Sequence, residues 1–294
     1  MVGGGVTGAE FAFMYANLGV DVTLVARRNR VLHLFDEEAS AAIMRSAAAH
    51  GIRVELEANV KGFAEQSDGS ICTTFEAHGQ TRQLTSDYVL LAGGRAPMTD
   101  GLGLETTGVA VDEATGAVLV DERMRTNVEH VYAIGDVNGR IMLAHAASYQ
   151  GRIAIDDILG EEGAFRSDAV PSVAYTDPEV ATVGVGVDAA RRDAARYTVG
   201  TFSFAHNGKA LAENSSAGYV SLVSDVSDAN DAQGALCGAT IVGAHASDLI
   251  GYAGLAISSG ITGEDVRQAV FAHPTTAEAI YEAACDLAFG ALHE

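Results

Sequence analysis

The chain has 294 residues, 39 acidic against 18 basic side chains and a formal net charge of −21, with 48% hydrophobic residues. That charge excludes a nucleic-acid surface and adhesion to anionic lipid, and no run of about twenty apolar residues is available to span a membrane. The hydrophobic fraction excludes disorder, and the length allows two or three domains. No basic stretch leads into an apolar one near Met1, so no secretory signal is visible. Cys72, Cys237 and Cys285 are far apart in sequence, which predicts no metal site, no C-x-x-C chemistry and a cytoplasmic location.

The first element is glycine-rich. Gly3, Gly5 and Gly8 in "MVGGGVTGAEFAF" fit the G-x-G-x-x-G fingerprint of a dinucleotide-binding turn. Only Met1 and Val2 stand where the strand before that turn is expected. Ala9 to Leu18 reads as a helix, with Phe11, Met14, Tyr15 and Leu18 at helical spacing and Gly19 ending it. Val20 to Val25 alternates like a strand, completing the βαβ context that the fingerprint needs. Gly3 is expected to permit the tight turn, Gly5 to let the backbone approach a pyrophosphate, and Gly8 to let helix and strand pack closely. The phosphates are expected at the helix N-terminus, where N–H groups and the dipole favour negative charge.

The end of the second strand selects between cofactors. An acidic side chain there would hold the ribose 2'-OH of NAD, whereas arginine accommodates the 2'-phosphate of NADP. In "LVARRNRVLH" the acid's place is taken by Ala26, followed by Arg27, Arg28 and Arg30. Arginine forks match phosphate oxygens in a bidentate way, so NADP is expected over NAD. The alternative is a solvated turn. Strand-like segments at "IRVELEANV", "ICTTFEA" and "DYVLLAGGR" extend this domain to residue 95, with Gly94 counted among its cofactor-binding positions.

The segments "LLAGGRAPMTDGLGLETTGV", "VLVDERMRTNVEHVYAIGDV", "LAHAASYQGRIAIDDILG", "VPSVAYTDPEVATVG", "FSFAHNGKAL", "IVGAHASDLI" and "FAHPTTAEAI" follow one another in an order that resembles the class I flavin-dependent pyridine nucleotide-disulfide oxidoreductases, the family of dihydrolipoamide dehydrogenase and glutathione reductase. The resemblance implies an α/β protein of three parts. These are a Rossmann-like NAD(P)-binding domain at 1–95, the C-terminal segment of an FAD-binding domain at 96–165, and an α+β interface domain at 166–294 that forms a homodimer. It implies FAD beside the nicotinamide cofactor and a small disulfide or dithiol as substrate. Asp136, after Gly135 in "YAIGDV", would hydrogen-bond the ribityl chain of FAD; read alone, it is a turn residue or helix cap after a buried strand. Glu10 would lie near the nicotinamide, paired with a lysine that this sequence does not contain. The family's first FAD glycine motif and its C-x-x-x-x-C redox pair are also not found here. The chain is therefore expected to correspond to the C-terminal part of such an enzyme, without stable flavin or disulfide reductase activity by itself. A separate chain carrying the N-terminal FAD domain is a further expected partner. The alternative is a non-catalytic remnant that binds nucleotide or a partner chain.

From Pro171 onward, strand patterns at "SVAYTD", "YTVGTFSF", "GYVSLVSD" and "LCGATIVG" give way to helical stretches from Ala246 and Glu264. By resemblance, His273 in "HPTTAE" is the acid–base catalyst and Glu278 orients its ring. Imidazole suits thiol–disulfide exchange because its pKa lies near working pH. Thr275 and Glu278 also have the spacing of a T-x-x-E capping box, with Pro274 keeping His273 outside the helix. His145 and His245 are expected to be structural.

Overall fold

The computed structural model describes residues 1–227 and 234–293. They form two compact units: Met1–Gly94 together with the segment from Pro171 onward, and Arg95–Val170.

The first unit opens with helix α1 (Val6–Asn17), strand β1 (Thr23–Val25), helix α2 (Glu37–Ala49) and strand β2 (Arg53–Glu55). β1 and β2 pair in parallel, and Val2 bridges in parallel to both Val25 and Leu91. Among the described residues, the segment read as a strand in "DYVLLAGGR" therefore pairs through its hydrogen bonds with Val2. Helix α1 begins three residues earlier than its apolar spacing predicts, because Gly5 in extended conformation is its N-cap. The stretch "IRVELEANV" is not one strand. Glu57 takes a left-handed φ of 51°, which ends β2 and starts β3 (Ala58–Glu65) in a second sheet with β4 (Ile71–Ala77) and β5 (Gln80–Ser86). That sheet is antiparallel throughout and covers Val25 with Ala58, Phe75 and Ala77.

The second unit contains the short helix α3 (Leu104–Thr107) and the longer α4 (Ala144–Ile158). Asp157, in the last turn of α4, organises it. Its carboxylate accepts from Arg123 Nη1 at 3.0 Å, Arg125 Nε at 2.6 Å and Tyr132 Oη at 2.7 Å. The Arg125 guanidinium, then the Tyr132 hydroxyl and Arg123, hold this carboxyl well below the usual range against the opposing effect of desolvation. A depressed carboxylate pKa gives stability that is present above the ordinary value, about 4, and is lost as pH falls through the folded-state value. Acid unfolding followed by far-UV circular dichroism should therefore be less steep below about pH 4 in Asp157→Asn, and that variant should be less stable at neutral pH. An unchanged acid profile would remove Asp157 from this role.

The chain then returns to the first unit. Strands β6 (Ser172–Ala174), β7 (Val180–Gly184), β8 (Tyr197–Ser203), β9 (Tyr219–Asp225) and β10 (Ala235–Val242) form an antiparallel sheet of order β6-β7-β10-β9-β8. Helices α5 (Val187–Arg192), α6 (Gly208–Ala212), α7 (Ala246–Ser259), α8 (Gly263–Gln268) and α9 (Glu278–Asp286) accompany it. Helix α9 lies tightly on β8, since a Cβ at Gly200 would stand 2.2 Å from the Ala283 carbonyl oxygen. Asp286 accepts the Thr201 N–H at 2.7 Å and fixes the helix lengthwise.

The two stretches of the first unit share one core. Ala9, Phe13, Leu24 and Ile43 from the first stretch are buried in the same cluster as Ala174, Val180, Tyr219 and Val242 from the second. Reciprocal capping reinforces it. Asp36, before α2, accepts the Asp188 N–H of α5 at 3.0 Å and the Thr240 hydroxyl of β10 at 2.5 Å. Asp188 in turn accepts the Glu37 N–H at 2.7 Å.

Candidate functional site

The glycine turn, the end of β1 and the loop that follows it line a cleft of about 470 Å³, with Gly3, Gly5, Arg27, Arg28, His33 and Gly94 on its walls. The three fingerprint glycines do different work. Gly3 has φ +121°, and a Cβ there would stand 2.1 Å from the Ala92 carbonyl oxygen. A Cβ at Gly8 would stand 1.8 Å from the Gly3 carbonyl oxygen, so α1 is seated directly on the turn. At Gly5 a Cβ would meet nothing within 4 Å; this glycine leaves backbone open to the cleft. The first turn of α1 presents N–H groups without intrahelical acceptors, and the helix dipole adds a positive field. An anion such as a pyrophosphate fits that cradle.

The three arginines separate in the structure. Arg30 is engaged in the loop: its guanidinium donates to the carbonyls of His33 at 3.3 Å and Phe35 at 3.2 Å and pairs with Glu37 at 2.9 Å. Arg27 and Arg28 are exposed at the cleft, and among the described residues neither guanidinium makes a hydrogen bond or ion pair. They are the guanidiniums left for a ligand. His33 was not singled out in the sequence, although it follows the arginine run by three positions. Burial, then Arg28, Arg30 and Arg27, push its pKa below the ordinary histidine value. Glu10 is not among the cleft-lining residues; its Oε1 accepts the Tyr175 N–H at 2.9 Å.

Gly135 and Asp136 belong to the second unit. Gly135 has φ +77° and opens a 3₁₀ turn, Gly135–Asn138. Asp136 lies inside that turn and does not cap a helix by its side chain; its carboxylate meets Arg95 Nη1 at 3.0 Å. The turn is held from behind by the fully buried Gln150, whose Oε1 accepts from the Gly135 N–H at 2.7 Å and Asn138 Nδ2 at 2.8 Å. Gln150 lies inside a segment noted in the sequence, but nothing there marked it out.

His273 and Glu278 meet. Glu278 is the first residue of α9, and its Oε1 lies 2.9 Å from His273 Nδ1 while its Oε2 accepts the Thr275 N–H at 2.8 Å. The expected capping box forms only in part. The Thr275 hydroxyl donates to the Ala272 carbonyl at 2.7 Å, and the N-cap position of α9 falls on Ala277, which has no side-chain cap. A full box occurs instead at Thr262 and Asp265, before α8. Burial raises the Glu278 carboxyl, but the Thr275 N–H and His273 outweigh it and hold the pKa below the ordinary value. Glu278 is thus ionised at neutral pH and grips the ring by Nδ1. The His273 side chain is 78% exposed, which leaves Nε2 facing outward for proton exchange.

Comparison with known proteins places this geometry. Residues 1–151 match the family described as pyridine nucleotide-disulphide oxidoreductase, and residues 170–284 match its dimerisation domain. The chain belongs to the pyridine nucleotide-disulphide oxidoreductase family. It is 39% identical to a dihydrolipoyl dehydrogenase of Geobacillus stearothermophilus over 97% of its own length and 59% of that protein's. A dihydrolipoyl dehydrogenase of Haloferax volcanii is also 39% identical, over 100% of this chain and 61% of the relative. Among solved structures, LpdA from Mycobacterium tuberculosis superposes with a TM-score of 0.90 at 31% identity, covering 97% of this chain and 60% of that one. The HOCl-induced flavoprotein disulfide reductase RclA from Escherichia coli gives a TM-score of 0.84 at 28% identity, over 97% and 63% of the two chains. The chain thus spans about three-fifths of the length of the relatives it matches.

Membership of the pyridine nucleotide-disulphide oxidoreductases agrees with the α/β fold expected from the sequence, and the family's enzymes depend on FAD and a pyridine nucleotide. Cys72, Cys237 and Cys285 are unpaired. Burial pushes the Cys237 thiol up to about 11 and raises that of Cys285 as well. Both stay protonated near neutral pH, and the thiolate is the reactive form. His245 is held by Glu213 at 3.6 Å at the start of α7, in keeping with a structural part. Among the described residues, no helix is long and apolar enough to cross a membrane.

Proposed function

We propose that this chain is part of an FAD-dependent oxidoreductase that passes electrons between a nicotinamide cofactor, preferentially NADP(H), and a small disulfide or dithiol, as a dihydrolipoyl dehydrogenase-like homodimer. The observation that carries the reading is the His273–Glu278 pair, anchored through Nδ1 at 2.9 Å with the opposite ring edge exposed. Such a group holds a proton for a substrate sulfur and returns it. Glu278 orients the ring through Nδ1, while its second oxygen is locked by the Thr275 N–H.

The bound nicotinamide and flavin supply the electron transfer. The open face at Gly5 and the first turn of α1 fit the pyrophosphate, and Arg27 and Arg28 fit a 2'-phosphate. Gly135, Asp136 and the buried Gln150 amide would contribute to the FAD side. Gln150 Nε2 is a buried donor without a hydrogen-bond partner among the described residues. The dimer is supported by the match of residues 170–284 to a dimerisation domain.

Nucleotide preference is testable on the chain itself. The double substitution Arg27→Ala, Arg28→Ala should weaken NADPH binding by about tenfold to a hundredfold, since one charge-assisted hydrogen bond contributes about 1.5–3 kcal/mol. NADH binding should change little. Titration by calorimetry of both cofactors checks this, and equal curves for the two before and after mutation would refute the preference.

A further inference from the structure

Between the glycine turn and the cleft-facing side chain of His33 lies a residue in an uncommon conformation. Leu32 has φ +52°, a left-handed backbone that Gly, Asn and Asp adopt far more readily than leucine. It is also 1% exposed, next to Val31 at 2%. Val31 and Leu32 enter the same core cluster. The left-handed residue lies between Arg30 and His33, which remain on the cleft.

The same residue ties the two halves of the cleft together. Its N–H donates to the Gly4 carbonyl at 2.8 Å, inside the glycine turn, and its carbonyl accepts the Phe35 N–H at 2.8 Å. The Arg30 guanidinium closes the loop around it through the carbonyls of His33 and Phe35. Gly4 has no slack on its other side, since a Cβ there would stand 2.6 Å from the Ala26 Cβ. This backbone bond ties the loop directly to the glycine turn, while the Glu57 N–H to Arg28 carbonyl bond at 3.0 Å and the Ser40 hydroxyl to Val31 carbonyl bond at 2.5 Å hold its flanks.

We propose that Leu32 is a positioning residue whose left-handed backbone sets the distance between the phosphate cradle at the glycine turn and the cleft wall formed by the guanidiniums of Arg27 and Arg28 and the ring of His33. Its side chain anchors the loop in the core, and its backbone conformation aims the wall. Leu32 thereby determines selectivity for a nucleotide with a second phosphate on its ribose. This rests on the nucleotide reading of the cleft.

The test compares binding of adenosine 2',5'-bisphosphate and adenosine 5'-monophosphate to the full chain by calorimetry, with thermal unfolding measured alongside. Wild-type protein should favour the bisphosphate by about tenfold or more. Leu32→Val, whose β-branched side chain resists positive φ, should cut that preference by at least about threefold. Leu32→Asn and Leu32→Gly accept the backbone conformation, so they should unfold at lower temperature yet keep the preference. An unchanged preference in Leu32→Val, or a preference lost equally in folded Leu32→Asn and Leu32→Gly, overturns the role of the backbone conformation. If Leu32→Val does not fold, Leu32→Ala, which also disfavours positive φ, takes its place with the same expected loss of preference. Equal binding of the two ligands to wild-type protein would refute the 2'-phosphate preference and the inference with it, and binding of neither would refute the nucleotide reading of the cleft itself.

Discussion

In a full-length enzyme carrying this sequence, replacing His273 by alanine should slow the dithiol–disulfide half-reaction by about a hundredfold to ten-thousandfold, the usual contribution of a general acid–base group. Flavin reduction by the nicotinamide cofactor should be nearly intact, because hydride transfer needs no proton from this imidazole. Glu278→Gln should give a milder form of the same defect. The ring keeps a hydrogen-bonding neighbour in place of Oε1, now 2.9 Å from Nδ1, but loses the negative charge that favours its protonated form. Rapid-mixing kinetics separates the two half-reactions. If His273→Ala slows only flavin reduction, or neither step, the acid–base reading of the pair is wrong and Glu278 serves merely to hold the Thr275 N–H.

Asp36→Ala should cause the largest loss of stability among the polar substitutions considered, about 2–4 kcal/mol from two hydrogen bonds to a buried charged acceptor. Asp36 is 8% exposed and joins the start of α2 to α5 and β10 in one carboxylate. Its removal leaves the Thr240 hydroxyl, itself buried, without that acceptor. Asp188→Ala should cost less, about 1 kcal/mol, because it breaks only the exposed half of the reciprocal cap at the Glu37 N–H. The double variant should fall short of the sum, since the two caps share one geometry. Chemical unfolding followed by far-UV circular dichroism or tyrosine fluorescence suits the chain, which has nine tyrosines and no tryptophan. A loss of under about half a kcal/mol for Asp36→Ala would show that the apolar core alone joins the two stretches.

The parts legible in the sequence are those whose partners are near neighbours. The glycine spacing marked the tight turn and the helix start because Gly3, Gly5 and Gly8 act within a single turn and helix start. His273 and Glu278 were paired through the family resemblance, and the loop and helix start between them bring the two side chains to 2.9 Å. Alternating apolar residues marked most of the interface strands, since burial of one sheet face imposes period two. The edges of elements were less legible. Glu57 bends an unbroken strand pattern into two sheets, and nothing in an apolar–polar alternation encodes a single positive φ.

What only the tertiary structure decided involves partners far apart in sequence. Arg27, Arg28 and Arg30 are one cluster on paper, yet Arg30 is drawn into the loop and Glu37 while the other two, among the described residues, make no ion pair. Glu10 is assigned by its contact with Tyr175, 165 positions away, and Asp36 by Thr240, 204 positions away. Gln150 and Leu32 were silent in the sequence for the same reason. A local pattern reports how a residue repeats along its own helix or strand; which buried donor or acceptor it meets depends on how separate elements pack, and that packing is set by the whole core at once.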